Sequence, residues 1–308
     1  MSKLQLSVSP HIHSGRSTRR IMLDVILALL PTTVAGILLF GWRALLLVTV
    51  CVLSCVLSEM AFSVIVKKPQ TVGDLSAVVT GLLLGLNLPA NLPIWQAVVG
   101  SVFAIVVVKC LFGGLGCNFV NPAITARVFM LIAFGAMAKQ SFPTSVDAVS
   151  GATPLPQIAA GNPPPLMDLF LGRVGGAVGE VCSLALLLGG AYLLLRRVIT
   201  WQIPVAVIGS AYLFTFLWNG FDALGALASI LSGGLLLGAI FMATDYVTSP
   251  TTPWGKIIFG VGIGFLTVLI RLFGSYPEGM SFAILLMNIL TPYIDSWTKR
   301  RLFGGVKV

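Results

Sequence analysis

From Ile21 to Phe40 the chain runs through twenty residues with a single charge, Asp24. An α-helix rises 1.5 Å per residue, so a stretch of that length matches the hydrocarbon core of a bilayer, about 30 Å thick. Nine further stretches share its character, at approximately 44–66, 75–88, 94–112, 119–138, 173–195, 202–218, 223–244, 255–273 and 280–297. A soluble core cannot enclose ten such runs. Only 9% of the residues are charged, against about 25% in soluble domains. The expected class is an all-α polytopic membrane protein of about ten transmembrane helices. The third stretch is short and glycine-rich, with Pro89 and Pro93 after it, and the fifth contains Asn121-Pro122. Both read as broken or half helices, which membrane depth permits where protein or a polar cavity covers the freed backbone groups.

The net charge of +9 would suggest nucleic acid in a soluble chain. Here it is explained by loop residues on one side of a membrane, and no nucleic-acid partner is expected. Thirteen basic residues, among them Arg19, Arg20, Lys67, Lys68, Arg196, Arg197, Lys256 and Lys299, fall on one side. Arg43, Lys139 and Arg173 fall on the other. The rule that positive loops stay inside places both termini in the cytoplasm of a bacterial inner membrane. Residues 1–20 are polar with no cleavage signal after the first apolar run, so they form a cytoplasmic segment. The expected order is a first membrane repeat at 21–138, an outward loop at 139–172, a second repeat at 173–298 and a cytoplasmic tail at 299–308.

The repeat is visible in the residues. Gly81-Leu82-Leu83-Leu84-Gly85 returns as Gly234-Leu235-Leu236-Leu237-Gly238. Pro93 and Trp95 are matched by Pro253 and Trp254, and Leu111-Phe112-Gly113 by Leu272-Phe273-Gly274. Five stretches separate the copies, and an odd number inverts the second relative to the first. The five cysteines show no C-x-x-C spacing. Cys51 and Cys55 share a helix face and could in principle serve a metal, but small apolar cysteines in spans are ordinarily packing residues. No metal site is expected, and His11 and His13 alone do not make one.

The outward loop is the polar exception. Thr153 precedes Pro154, which biases it toward an extended backbone, and Gly151 and Ala152 leave its hydroxyl nearly free of neighbouring bulk. A large donor could approach it, although Ser, Thr, Gly and Pro are also ordinary turn residues. Asp147-Ala148-Val149-Ser150-Gly151-Ala152-Thr153 resembles the D-x-x-[S/T]-G-A-T motif at which a flavin transferase attaches FMN by a phosphoester to the final threonine. Its position after the fifth span, together with Gly113–Ala123 upstream, is similar to the family that unites the RnfD subunits of Rnf electron-transport complexes with the NqrB subunits of sodium-pumping NADH:quinone reductases. The resemblance runs from about Arg16 to the C-terminus, and the short N-terminal region favours the Rnf branch. One departure is Ala148, where the family often has glycine.

The resemblance implies that Thr153 bears FMN and that Asp147, Ser150, Gly151 and Ala152 form the recognition motif. It implies a fold like that of urea transporters, in two inverted five-helix repeats, and a second, non-covalent flavin, riboflavin, in the membrane part. The broken helix at Asn121-Pro122-Ala123 is a candidate for part of a flavin wall, and Arg127 could steady a flavin phosphate or pair with an acid. The implied function is that of a membrane subunit of a redox-driven ion-translocating complex of ferredoxin:NAD type, an oxidoreductase incomplete alone and with no catalytic residue of its own. The chain has no cluster-binding cysteine set, so electrons must arrive from partner subunits carrying iron–sulfur clusters and flavins. Membrane lipid and the maturing transferase complete the expected partners.

Asp24, Glu59 and Glu180 fall within or near spans, where an isolated charge costs about 2.5–3.5 kcal/mol on insertion scales. Glu59, in the second span, and Glu180, two turns into the sixth, either line an ion route or pair with a nearby cation. Asp245 is placed as a cavity residue at the turn after the broken second-repeat span. Inverted repeats and broken helices would equally suit a secondary transporter or channel. Only the Asp147–Thr153 motif and its outward placement separate the two readings.

Overall fold

A computed structural model describes residues 17–135, 141–143, 154–159, 163–274 and 279–299. Among the described residues every regular element is helical, and extended pairing is limited to an isolated bridge between Ser141 and Gly176. Asp147, Ser150, Gly151, Ala152 and Thr153 lie outside the described residues, as do His11 and His13.

Helix α1 (Thr18–Phe40) begins at Ser17, whose side chain accepts from the Arg20 amide. It turns into α2 (Trp42–Ile65) through Gly41, at φ +74°. Helix α3 (Ser76–Leu86) is short and ends at Asn87. Helix α4 (Ile94–Val102) continues without interruption as a π-helix over Phe103–Cys110. Helix α5 (Pro122–Ala133) has the signature of a helix start: Asn121 caps the amides of Ala123 and Ile124, and Pro122 takes the first position, where its missing N–H costs nothing. The stretch expected at 119–138 is therefore helical over twelve residues.

Two short helices, α6 (Pro154–Ala159) and α7 (Leu166–Leu171), follow, and both pack on α10 (Ala223–Leu231). The stretch expected to be helical from 173 becomes so only at Ser183, where α8 (Ser183–Leu195) starts. Before it, the amides of Val178 and Gly179 donate to the carbonyls of Leu88 and Leu86, at 3.1 and 2.7 Å. Gly179 permits the approach, since a Cβ there would lie 2.6 Å from Leu86 Cβ. Glu180 thus stands on irregular backbone, not two turns into a helix.

Helix α9 (Gln202–Trp218) leads to α10, which breaks at Ser232-Gly233-Gly234. It resumes as α11 (Leu235–Leu237) with a π-helix over Gly238–Met242, and the two parts meet at a 67° bend. Gly233 has φ +65°, a conformation that glycine adopts without strain. Helices α12 (Pro253–Phe273), capped by Thr252, and α13 (Met280–Thr298) complete the chain.

By length and composition, α1, α2 and α12 can each cross a membrane, and the bent pair α10–α11 makes a fourth if taken as one span. The outer surface fits that solvent. Leu38 and Ile65 are 77% and 78% exposed, and all six tryptophans are exposed at or beside helix ends: Trp42, Trp95, Trp201, Trp218, Trp254 and Trp297. Amphipathic indole rings collect at the two membrane–water interfaces. An apolar surface of this kind, girdled by tryptophan, is what a membrane protein presents.

Candidate functional site

The break between α10 and α11 collects charge. On one flank, Arg127 Nη2 of α5 lies 2.7 Å from Glu180 Oε1, with side chains 6% and 1% exposed. Arg127 Nη1 donates to Asn87 Oδ1 at 2.7 Å and to Ser281 Oγ at 3.2 Å. Asn87, at the end of α3, also donates to the Leu83 carbonyl at 2.6 Å. Four separate elements therefore meet at one guanidinium. Gly234 makes room, because a Cβ there would stand 2.6 Å from Glu180 Oε1 and 3.2 Å from Arg127 Nη1.

On the other flank is Arg271, near the end of α12. Its Nη1 donates to the Ser229 carbonyl at 2.6 Å and to Ser229 Oγ at 3.0 Å, and its Nη2 donates to the Ser232 carbonyl at 3.1 Å. These carbonyls belong to the C-terminal end of α10, where the helix dipole favours a cation. Leu155, two residues after Thr153, reaches the same place: a Cβ on Gly233 would meet Leu155 Cδ1 at 3.1 Å and Arg271 Nη2 at 3.3 Å.

A second buried pair lies elsewhere. Lys109 Nζ, on the π-helical turn of α4, stands 2.9 Å from both carboxylate oxygens of Glu59 on α2. The side chains are 3% and 2% exposed. Lys109 also donates to Ser76 Oγ at 2.6 Å, Thr71 donates to Glu59 at 2.6 Å, and Ser76 bonds Asp74. Lys109 and Ser76 line a cavity of about 100 Å³, whose wall also includes Thr80, Asn118, Asn121, Phe241 and Asp245. Both halves of the chain thus contribute to it. Asp24 is held in a third pair, with Arg196 at 3.3 Å and Tyr192 at 3.1 Å.

Glu59 and Glu180 are both paired, in clusters that share no partner. Asn121 and Arg127 are not brought to one place: Asn121 lines the cavity, whereas Arg127 faces Glu180. The Asn121 side chain is occupied as the α5 cap and as a donor to the Met242 carbonyl at 3.4 Å. Asp245 lines the cavity as expected and accepts from Thr248 Oγ1 at 3.2 Å. Sequence reasoning left Lys109, Asn87, Ser281 and Arg271 without a role. Lys109 and Arg271 carried a signal, since a cation inside a span needs a partner; Asn87 and Ser281 carried none.

Among the described residues no cluster of histidine, cysteine or carboxylate could hold a metal. The cavity combines apolar walls with amide, hydroxyl and charged edges, but at about 100 Å³ it is smaller than the roughly 300–1,000 Å³ of a cofactor pocket, and as it stands it does not fit a flavin ring.

An all-helical, lipid-facing chain with a broken helix and buried ion pairs at its centre defines a polytopic membrane protein with an internal polar core. The chain belongs to the NQR2, RnfD, RnfE family, whose model matches residues 5–304. It is 48% identical to the D subunit of the Na(+)-translocating ferredoxin:NAD(+) oxidoreductase complex of Acetobacterium woodii, over 100% of this chain and 98% of that one. It is 40% identical to the D subunit of the proton-translocating ferredoxin:NAD(+) oxidoreductase complex of Clostridium ljungdahlii, covering 97% and 96%. The D subunit of the ion-translocating oxidoreductase complex of Actinobacillus succinogenes is 35% identical, covering 97% and 98%.

Proposed function

We propose that the chain is the D subunit of a redox-driven, ion-translocating ferredoxin:NAD oxidoreductase complex, carrying FMN through a phosphoester on Thr153. The observation that carries this reading is the Asp147–Thr153 motif, in a chain whose relatives among such D subunits match it over nearly full length. Bound FMN supplies one- and two-electron chemistry, which joins iron–sulfur donors to two-electron acceptors. The chain's own residues hold and orient. Pro154 is buried and opens α6, which packs on α10, so the peptide that follows the attachment residue is anchored. Gly151 and Ala152 keep the hydroxyl accessible to the transferase, with Asp147 and Ser150 completing its motif.

The reading includes ten spans in two inverted repeats, with both termini cytoplasmic and the Thr153 loop outward. The contacts are those a two-fold relation between the halves would produce. Helix α1 packs on α8 and α5 on α13, while α2–α4 corresponds to α9–α12 and α4–α5 to α12–α13. The second flavin, riboflavin, belongs to the membrane part in this reading, with Asn121 forming wall rather than donating. Partner subunits with iron–sulfur clusters and flavins supply and remove electrons.

The test is a denaturing gel viewed under ultraviolet light, after expression with the flavin transferase. A fluorescent band at the 32.6 kDa chain, lost in Thr153→Val, is expected. A dark wild-type band would overturn the flavin reading and leave that of a transporter with inverted repeats.

A further inference from the structure

A second cavity, of about 470 Å³, opens where the start of α2 meets residues 90–93 and the start of α4. Its volume falls within the roughly 300–1,000 Å³ of ligand pockets. Trp42, Arg43, Leu46, Asn91 and Trp95 are in its wall. Trp42 and Trp95 are 70% and 58% exposed, and indole rings so placed mark the level of the lipid headgroups. Arg43 is exposed and, among the described residues, forms no ion pair and no side-chain hydrogen bond. It is also one of three basic residues assigned to the outward side, where positive loop charge is ordinarily sparse. We propose that this cavity binds an anionic phospholipid, with Arg43 holding the phosphate of its headgroup.

The interior pairs show what the fold does with the cations it uses itself. Lys109 meets Glu59, Arg127 meets Glu180 and Arg196 meets Asp24. Arg43 borders an open space instead. The phosphodiester of a phospholipid has two non-bridging oxygens that share one negative charge. A guanidinium presents its N–H groups in a planar fork that meets both oxygens together, which an ammonium cannot do. The Asn91 side chain, also without a partner among the described residues, adds an amide that can donate to the same headgroup. The floor beneath these groups is fixed. Leu47, Ala90 and Leu92 are buried, and the Asn91 backbone amide donates to Ser141 Oγ at 3.0 Å.

The apolar side of the cavity selects a lipid over a free anion. Leu46 stands in the cavity wall one turn of α2 beyond Arg43. Leu53 continues the same face and is 56% exposed. Ten residues of helix separate it from Arg43, about 15 Å along the axis. That is half of a hydrocarbon core about 30 Å thick, so the strip has the reach of an acyl chain in one leaflet. Trp95 is held edge-on against Phe134, with ring centroids 5.3 Å apart. Its indole is apolar along its body and polar at its N–H, which suits the junction between headgroup and chain. Inorganic phosphate would meet the guanidinium alone, whereas a phospholipid meets the guanidinium, the indole rings and the strip together.

The experiment measures thermal unfolding midpoints of the full chain, delipidated in dodecyl maltoside. Phosphatidylglycerol, phosphatidylcholine at the same mole fraction, or inorganic phosphate is then added. Phosphatidylglycerol is expected to raise the parent midpoint by several degrees, phosphatidylcholine by less than half as much, and phosphate not at all. Arg43→Gln and Trp42→Leu should each cut the phosphatidylglycerol shift by at least half, and Arg43→Lys should cut it less than Arg43→Gln. Lys68→Gln, which removes an exposed cation beyond the far end of α2, should leave the shift intact. An equal shift with phosphatidylcholine, or an equal loss in Lys68→Gln and Arg43→Gln, would mean general lipid or charge effects and overturn the inference. A full shift with phosphate alone would make this a free-anion site and reject the lipid. No shift in the parent would leave Arg43 to a protein partner, and the inference would again be wrong. Should Arg43→Gln fail to fold, Trp42→Leu and Arg43→Lys are judged by the same criteria.

Discussion

At the residue scale, the interior is governed by charge pairs that cannot be broken singly. Glu59 and Lys109 are both nearly inaccessible, and every bond to them comes from groups placed by other segments. Breaking such a pair leaves an uncompensated charge, at a cost of about 3–5 kcal/mol, whereas replacing both partners is often nearly neutral. Lys109→Met should therefore lower unfolding stability in detergent by about 3–5 kcal/mol, with Glu59→Gln/Lys109→Met recovering most of the loss. The same variants bear on the ion route. If pumping by the assembled complex survives both Glu59→Gln and Glu180→Gln, these carboxylates are structural pairs and nothing more. That Glu59 needs a partner was legible in the chain, because a lone carboxylate in an apolar run is costly. Its partner, fifty residues away, was not legible, since only the packing of α2 against the α4 π-helix selects Lys109 over other cations.

At the element scale, the two copies of the GLLLG motif use their first glycine differently. A Cβ on Gly81 would lie 2.6 Å from Val52 Cα and 2.9 Å from the Cys51 carbonyl, so this glycine lets α3 press on α2 backbone to backbone. Backbone cannot swing aside, and Gly81→Ala should cost about 1–3 kcal/mol or more, as overpacking does. Gly209→Ala, in α9 with open space around it, should instead be neutral or gain up to about 1 kcal/mol through helix propensity. Paired thermal melts of these variants would check the contrast. The starts at Asn121-Pro122 and Thr252-Pro253 carry a local signal, a capping residue before proline, although the expected stretches begin at 119 and 255. The start of α8 carries none. Nothing in the apolar pattern of 173–182 reveals that Val178 and Gly179 give their amides to the end of α3, which is a tertiary choice that outcompetes local helix formation.

At the scale of the whole molecule, orientation follows from the loops. In a background lacking the exposed Cys117, Arg43→Cys should react with a membrane-impermeant thiol reagent that reaches the outer face of the membrane bearing the protein. Lys68→Cys should react only after that membrane is opened. Both positions are exposed, one in α2 beside the Gly41 turn and the other just after the far end of α2. The reverse pattern would place the Thr153 loop in the cytoplasm and remove the outward assignment. The surface has a matching logic: leucine, isoleucine and phenylalanine face outward along the helices, tryptophans mark their ends, and polar side chains turn inward to one another.

The lipid solvent, the helical class, most helix positions and the motif ending at Thr153 are all legible in the order of residues. Each of these depends on local composition or on spacing along the chain, and water–lipid partitioning reads such patterns directly. Packing selected which charges meet, spent Asn121 on capping while Arg127 turned to Glu180, and set a guanidinium on either flank of the helix broken at Gly233. Those outcomes depend on distances between segments brought together by packing, which the order of residues does not record. The threonine motif could be read from a few adjacent residues. The arginine set beside the peptide that follows it, more than a hundred positions later, could be found only once α6, α10 and α12 had been brought together.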